Sequence, residues 1–167
     1  SSDLEAFNWQ DGAMLQWVPG TGGRQVVYNV LSSEGEAKGV LRNLVTGKTQ
    51  ELQKPIYSVH PSGKFAVGQN FSRISCCRPS YGYRENPQFL EPWQGDLPPD
   101  DGFFRIDLQS GEASSWVSTS KILGNLPTST PGQHYLQHFS WNPTGNRALF
   151  YFRTLLRSGR FKSWLIS

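Results

Sequence analysis

Three segments of the chain share one pattern of apolar and polar positions. Each has an apolar run, a proline, a turn that contains glycine and a second apolar run; the segments are MLQWVPGTGGRQVVYNV, YSVHPSGKFAVGQNF and HFSWNPTGNRALFYF. Proline fixes φ at the entry to a turn, and glycine supplies the positive φ that a tight hairpin often needs. The pattern therefore predicts three β-hairpins, with turns at Pro19-Gly20, Pro61-Ser62-Gly63 and Pro143-Thr144-Gly145.

A second repeat follows the first two hairpins. GVLRNLVTGKTQEL at 39–52 matches GFFRIDLQSGEASSW at 102–116, and each has the pattern of a strand, a turn and a further strand. Together with the hairpin before it, each makes a unit of four antiparallel strands. The spacing of these units is close to the ~40–45 residues of a propeller blade. We therefore predict an all-β chain made of the four-stranded antiparallel blades of a partial β-propeller. A β-sandwich is the alternative, but it does not predict repeated units with the same turn chemistry.

The repeats also predict boundaries within the chain. We expect blade one at about 12–54, blade two at about 55–118 and the start of blade three at about 135–167. The second unit is longer than the first, which places an insertion at about 73–101 between its second and third strands. The polar stretch at 117–135 contains prolines and is expected to carry one short helix.

The number of blades is smaller than a closed ring requires. A propeller typically needs at least four blades, and this chain contains two units and the first strands of a third. The absence of an initial methionine and the ending FKSWLIS favour a fragment of a longer chain. Self-association through the open blade edges is the alternative, because unpaired strand edges and apolar blade faces would otherwise meet water.

Composition and charge restrict the partners. The 167 residues include 16 lysines and arginines and 13 acidic residues, a net charge of +3. Because no basic run is present, we do not expect nucleic-acid binding. No apolar stretch approaches the ~18 residues of a membrane span, so we do not expect a membrane partner. Aromatic residues make up 13% of the chain, which suits β-structure.

Cys76 and Cys77 are the two cysteines of the chain, and they are adjacent. Neighbouring cysteines rarely form a disulfide, because the small ring strains its geometry. No second thiol pair is present to complete a zinc site. We interpret both as reduced cysteines in a loop or at a strand end. This fits the cytoplasm slightly better than an oxidising compartment.

Four stretches of the chain resemble a bacterial family of β-propeller proteins that is similar to the TolB-type propellers and the oligogalacturonate lyases. They are AFNWQDGAMLQW, PIYSVHPSGKFAVGQNFSR, RPSYGY and DDGFFRIDLQSGE, and NFSR followed by RPxYGY is the most specific part. The resemblance implies a propeller fold. It also implies a full-length protein with about twice as many blades, of which this chain is an N-terminal or central part. It carries more information about fold than about function.

The propeller topology brings several unusual residues to one face. The first strand of each blade lines the central channel, and the loops after the second strands share a face with the segments that enter the first strands. The long insertion and the segments before the first and third hairpins would meet there. The candidate ligand-binding residues on this face are Arg73, Arg78, Tyr81, Tyr83, Gln10 and His138.

These residue types suit an acidic oligosaccharide. Arginine pairs with carboxylates and phosphates, and aromatic rings stack on sugar faces. The alternative is structural, with Arg73 and Arg78 paired to Asp100, Asp101 or Glu85 to hold the insertion in place. In that case the two tyrosines would pack the insertion onto its blade.

His134 and His138 raise the question of a metal site. The resemblance to oligogalacturonate lyases implies a manganese-type ion held by His and Gln side chains. In a strand, however, these two histidines would share one face about 13 Å apart, too far for one ion. We therefore predict no metal site and no cofactor, with Mn²⁺ entering only under the lyase hypothesis. His138 is the better single candidate, either as a base or as a hydrogen-bonded structural histidine.

Two functional hypotheses remain. In the first, the chain is a scaffold segment that binds an acidic oligosaccharide or a protein and has no activity of its own. In the second, it is part of a carbohydrate-active enzyme resembling oligogalacturonate lyase. Such an enzyme would need an arginine to neutralise the uronate, a base to take the α-proton and a metal ion to assist. The sequence contains no Ser-His-Asp elbow, phosphate-binding loop or dinucleotide fingerprint.

Overall fold

The chain folds into three antiparallel β-sheets, seen in a computed structural model that describes residues 7–8, 10–126 and 130–167. The strands of each sheet follow one another in chain order. The first sheet contains β1 (Gln16–Trp17), β2 (Gln25–Leu31), β3 (Ala37–Asn43) and β4 (Thr49–Leu52). The second contains β5 (Ser58–Val59), β6 (Phe65–Gln69), β7 (Gly102–Asp107) and β8 (Ala113–Ser118). The third contains β9 (Gln133–Trp141), β10 (Ala148–Leu155) and β11 (Phe161–Ile166).

Helices occupy only short connections between these strands. They are α1 (Phe71–Cys77), α2 (Pro87–Leu90), a 3-10 turn (Glu91–Trp93) and α3 (Thr119–Asn125). The all-β prediction is confirmed, and α3 confirms the short helix predicted before the third hairpin. None of the helices in the described ranges is long and apolar enough to cross a membrane. The described residues form three sheets, fewer than the four blades that a closed propeller typically needs, so the propeller stays a prediction.

The three predicted hairpins are confirmed. Each pairs the first two strands of its sheet, and Gly20, Gly63 and Gly145 have φ values of 78°, 68° and 75°. Only glycine adopts this backbone conformation without steric cost. At Gly63 a side chain is also excluded by contact, because a Cβ there would collide with the carbonyl oxygen of Pro19 in the neighbouring hairpin.

The first strands of the three sheets are neighbours. β5 contacts β1 on one side and β9 on the other, and the apolar faces of adjacent sheets meet in two clusters. Between the first and second sheets the cluster contains Val18, Val27, Leu41, Leu52, Ile56, Ala66, Ile106 and Leu108. Between the second and third sheets it is aromatic, with Phe103, Phe139, Phe150 and Phe152 among its members. Burial of these faces supplies the hydrophobic stabilisation of the fold.

Exposed apolar side chains lie on the two outlying sheets. Trp17 of the first sheet is 62% exposed, and Leu149 and Leu165 of the third are 48% and 60% exposed. Self-association through these sheets stays a prediction.

Residues 70–101 connect β6 to β7 and contain α1, α2 and the 3-10 turn. Asn70 begins α1, since its side-chain oxygen accepts a hydrogen bond of 3.0 Å from the Arg73 backbone N–H. The Asn70 amide also donates to Asp101, at 2.8 Å, and the Thr119 hydroxyl donates to the other oxygen of Asp101, at 2.6 Å. This buried carboxylate therefore ties together the first residues of α1, β7 and α3.

Asn29 links the first sheet to the segment before the second. Its side chain is fully buried, donates to the Ile56 carbonyl and accepts from the Ile56 N–H, each at 2.8 Å. The same amide donates to the Tyr83 hydroxyl, at 2.9 Å. One side chain therefore satisfies both backbone groups of Ile56, a buried residue that lies outside the strands.

We expect Asn29→Leu to lower the free energy of unfolding by about 2–4 kcal/mol, because it leaves the buried N–H and C=O of Ile56 without partners. Chemical denaturation monitored by tryptophan fluorescence measures the change. Asn125→Leu, at an exposed helix end, is the matched control and should change stability by less than about 0.5 kcal/mol. Equal effects of the two substitutions would contradict the assigned role of Asn29.

Candidate functional site

His138 lies at a β-bulge in β9. The pairing register between β9 and β10 shifts between Leu149 and Tyr151, and His138 has a φ of 57°. This left-handed conformation costs a residue with a side chain about 1 kcal/mol or more. Bulges of this kind redirect side chains and are frequent next to functional sites.

The bulge separates the two histidines that the sequence places on one face. His134 forms a 2.9 Å hydrogen bond through Nδ1 with the Thr154 hydroxyl, and its ring stacks on Phe152. The His138 ring instead contacts Tyr151, which alternates with Phe152 along β10 and so points to the opposite face. The prediction of a shared face is therefore wrong, because it assumed a regular strand.

Three tyrosines surround the His138 ring. The Tyr57 hydroxyl and His138 Nδ1 share a hydrogen bond of 3.2 Å. The rings of Tyr81 and Tyr151 meet the imidazole edge-on, with centroid distances of 5.9 and 6.1 Å. Together with Arg78 and Arg153, described next, these residues form what we call the His138 cluster.

Arg78 reaches the cluster from the turn that follows α1. Its guanidinium lies between two aromatic rings, 4.3 Å from the centroid of Tyr81 and 4.6 Å from that of Phe161. The ring faces attract the cation and hold it in place. In the part of the chain that the structure describes, Arg78 forms no salt bridge. Its charge is therefore available to an anion.

Arg153 approaches His138 from β10. Its guanidinium lies 5.1 Å from the centroid of Tyr151 and donates a 3.2 Å hydrogen bond to Gln137 Oε1. Within the described ranges, Arg153 Nε and Gln137 Nε2 have no hydrogen-bond partner. Gln137 is fully buried. Two N–H donors without hydrogen-bond partners, on Arg153 and Gln137, therefore lie in this part of the cluster.

Both guanidiniums act on the same groups. Burial lowers the pKa of His138, and the charges of Arg153 and Arg78 lower it further. Burial raises the pKa of Tyr135, and the same two charges oppose that shift. The imidazole is consequently neutral at pH 7, beside two cations that lack a carboxylate partner among the described residues.

Arg73 lies outside this cluster. It is fully buried, and its guanidinium donates to four carbonyl oxygens at 2.7–3.0 Å, those of His134, Trp93, Gly95 and Asp96. A structural role therefore fits Arg73 better than ligand binding does, although its partners are carbonyl oxygens and not the carboxylates that the sequence suggested. We therefore remove Arg73 from the candidate site.

Tyr83 and Gln10 also fall outside the cluster. Tyr83 is 2% exposed, packs against Phe71 and accepts the hydrogen bond from Asn29, so its ring and hydroxyl are engaged within the fold. Gln10 is exposed in a turn that Asn8 caps, and its side chain joins none of the described contacts of the cluster. Trp9, which precedes it, lies outside the described residues. Of the six predicted residues, the structure brings together Arg78, Tyr81 and His138.

Three members of the cluster were missed from the sequence. Tyr151 and Arg153 alternate with the buried Phe150 and Phe152 in LFYFR. Pairing of β10 with β9 then places these two side chains beside His138. Tyr57 lies just before the second hairpin, in the stretch PIYS. The signal for Tyr151 and Arg153 was this alternation, which indicates a polar face on a strand that pairs with β9.

The residues of the cluster do not fit a manganese ion. In the described part of the chain, no group of three or more His, Cys, Asp or Glu side chains could hold a metal. Nδ1 of His138 is engaged with Tyr57, and the side-chain oxygen of Gln137 accepts from Arg153. Two guanidiniums beside His138 would also repel a cation.

The two cysteines do not form a reactive pair. Both are free thiols, Cys77 is buried, and burial raises its pKa to about 12. Burial also raises the pKa of Cys76, whose sulfur lies 3.6 Å from the Leu90 carbonyl oxygen. Because the thiolate is the nucleophile, both positions are poorly suited to thiol chemistry.

Comparison with known proteins assigns no family to the chain. No protein-family model, no curated protein and no solved structure matches it. The resemblance to TolB-type propellers and oligogalacturonate lyases therefore stays a prediction, and the functional argument depends on the geometry of the site.

Arg73, within α1, and Arg78, just after it, should differ in their effect on stability. We expect Arg73→Met to lower the free energy of unfolding by about 3 kcal/mol or more, because it removes four hydrogen bonds from a fully buried side chain and takes this donor from the buried His134 carbonyl. Arg78→Met, the matched substitution at a half-buried position, should cost about 1 kcal/mol through loss of the aromatic contacts. Urea denaturation of both variants tests this. A larger loss of stability in Arg78→Met than in Arg73→Met would contradict the structural role assigned to Arg73.

Proposed function

We propose that the chain is a segment of a β-propeller scaffold that binds an acidic oligosaccharide at the His138 cluster. One observation carries the proposal. Arg78 and Arg153 converge on a half-buried neutral imidazole, and neither has a carboxylate partner among the described residues. Two uncompensated guanidiniums at a partly buried position favour an anion, because they offer charge-assisted hydrogen bonds at reduced solvation.

The surroundings of the two cations favour a sugar acid over a simple anion. Tyr81, Tyr151 and Phe161 present aromatic rings beside the guanidiniums, and such rings pack against the apolar face of a sugar. A uronate combines these features, a carboxylate on a ring with an apolar face.

The arrangement of the sheets supports the propeller part of the proposal. Two of the sheets contain four strands in chain order, and the first strands of all three lie side by side. In a propeller these strands line the central channel. His138 lies in one of them, and Tyr57 directly precedes another. The acidic ligand would then bind at a mouth of the channel.

Elimination on a uronate is a second candidate, favoured by the neutral imidazole beside two arginines. In such a step the base removes the proton α to the carboxylate. The C–O bond at the adjacent carbon then breaks as a C=C bond forms, and the leaving oxygen takes up a proton. The arginines would stabilise the negative charge that develops on the carboxylate.

We expect trigalacturonate to bind and Arg78→Gln or Arg153→Gln to weaken its binding about tenfold or more, since each removes a charge-assisted hydrogen bond. Isothermal titration calorimetry measures the affinities. Arg147→Gln removes the same charge from the exposed turn between β9 and β10 and should leave binding unchanged. An equal loss in that variant would mean that net charge, and not the site, attracts the ligand.

The pH dependence of this binding tests the part played by His138. The pKa of His138 lies below the ordinary 6.5 in the free protein, so the imidazole becomes mostly protonated only when the pH falls below about 6.5. Affinity should therefore rise between pH ~7.5 and ~5, where the sugar carboxylate stays ionised. His138→Gln should flatten this rise. An affinity that falls on acidification would contradict the proposal.

Catalysis can be distinguished from binding with the same ligand. If His138 acts as a base, incubation with trigalacturonate produces an unsaturated product with ultraviolet absorbance, and His138→Gln abolishes it. If the protein only binds, absorbance stays constant while calorimetry shows complex formation. Addition of Mn²⁺ should change neither result, because the donor set of the cluster does not fit this ion.

A further inference from the structure

A small cavity lies between the insertion and the first two sheets, away from the His138 cluster. Its volume is about 140 Å³. The ends of β6 and β3 form its base, together with the segment at 54–55, and residues 85–93 of the insertion cover it. A volume of this size holds several water molecules or one small organic ring.

Gln69 at the end of β6 is the first unusual feature of this cavity. The residue is 1% exposed and lines the cavity, yet neither its amide nitrogen nor its amide oxygen has a hydrogen-bond partner among the described residues. Burying an amide without partners costs about 1–3 kcal/mol. A donor and an acceptor therefore face the cavity side by side.

Glu85 adds an acceptor to the same cavity. It is 7% exposed, and one of its oxygens accepts a 2.9 Å hydrogen bond from the Ala37 N–H. The other oxygen makes no hydrogen bond of ordinary geometry in the described part of the chain, and the Ser72 hydroxyl beside the carboxyl group opposes the rise in its pKa. Lys54 also lines the cavity, and its charge opposes the rise in the pKa of Glu85 that burial causes. Glu36 lines the cavity as well and pairs with Lys38 at 2.8 Å, so the lining contains two carboxyl groups and one ammonium group.

Aromatic side chains form the other walls. Phe71, Phe89, Trp93 and Phe104 line the cavity, together with Pro55 and Pro92. The Lys54 ammonium lies 5.4 Å from the centroid of Phe104. The cavity thus combines flat apolar walls with hydrogen-bonding groups.

We propose that this cavity binds one neutral sugar ring. Hydroxyl groups both donate and accept, and they complement an amide that offers both functions beside a carboxylate oxygen that accepts. The ring's apolar face would pack against the aromatic walls. A uronate is disfavoured, because its carboxylate would meet Glu85 in a buried position. The site therefore differs in ligand charge from the His138 cluster and does not depend on the function proposed there.

The experiment is a titration of the isotopically labelled protein with neutral sugars, followed by NMR. The probes are glucose and galactose as free sugars and as methyl pyranosides, at up to ~10 mM. The side-chain NH₂ signal of Gln69 is identified by its loss in Gln69→Leu. We expect this signal to shift on saturation with at least one probe. Binding of free sugars only would indicate a monosaccharide ligand, whereas binding of methyl pyranosides would indicate the terminal sugar of a glycan.

Variants separate this site from the His138 cluster. Gln69→Leu and Glu85→Gln should each weaken sugar binding at least tenfold, and Glu85→Gln retains an acceptor for the Ala37 N–H. Phe89→Ala, at a half-buried wall position, covers the case in which Gln69→Leu fails to fold. Gln109→Leu on the exposed turn after β7 and Arg78→Gln in the His138 cluster should leave neutral-sugar affinity unchanged.

The proposal is overturned if no probe shifts the Gln69 signal, or if Gln69→Leu and Glu85→Gln fold and bind the sugar as the unaltered protein does. In the first case the cavity holds only water. Neither result bears on trigalacturonate binding, which uses Arg78 and Arg153.

Discussion

A single buried cation holds the insertion against the third sheet. Arg73 donates from the middle of α1 to the carbonyl of His134 in β9 and to three carbonyls at 93–96. Without it, these carbonyls would lose a charged donor, and the end of the insertion would lose much of its connection to β9, where the His134 N–H also donates to the Asp96 carbonyl. The position of every other functional residue on the insertion depends on this contact, because α1 carries the turn with Arg78 and Tyr81.

The insertion builds two chemically different sites on opposite sides of itself. Arg78 and Tyr81 meet His138, Tyr151 and Arg153 to give a cationic, aromatic surface. Glu85 and the residues that follow it instead close a cavity over Gln69, with two carboxyl groups and one lysine in its lining. Phe71 lies between the two, since its ring contacts Tyr57 and also lines the cavity. The two proposed sites together would suit an oligosaccharide that contains acidic and neutral sugars.

Sequence reasoning succeeded where the signal was local. The hairpin turns at Gly20, Gly63 and Gly145 followed from proline and glycine, whose backbone preferences act within a few residues. It failed at His138, because a β-bulge depends on how two strands pair. It left Arg73 open between ligand binding and a structural role, and it expected carboxylate partners where the side chain donates to carbonyls, one of them distant in sequence. Burial of that kind leaves no pattern in the residues around it.

The sequence by itself determined the all-β class, the repeated four-strand units, the hairpin turns and the position of the long insertion. These features depend on alternation and on turn residues, which act over short distances. Only the tertiary structure decided which polar residues converge. Arg78 and Tyr81 lie beside His138 together with Arg153, and Gln69 and Glu85 line one cavity, because packing of the insertion against two different sheets brings distant segments together. The physical reason is that the hydrogen bonds and charges of a buried group can be satisfied by any part of the chain.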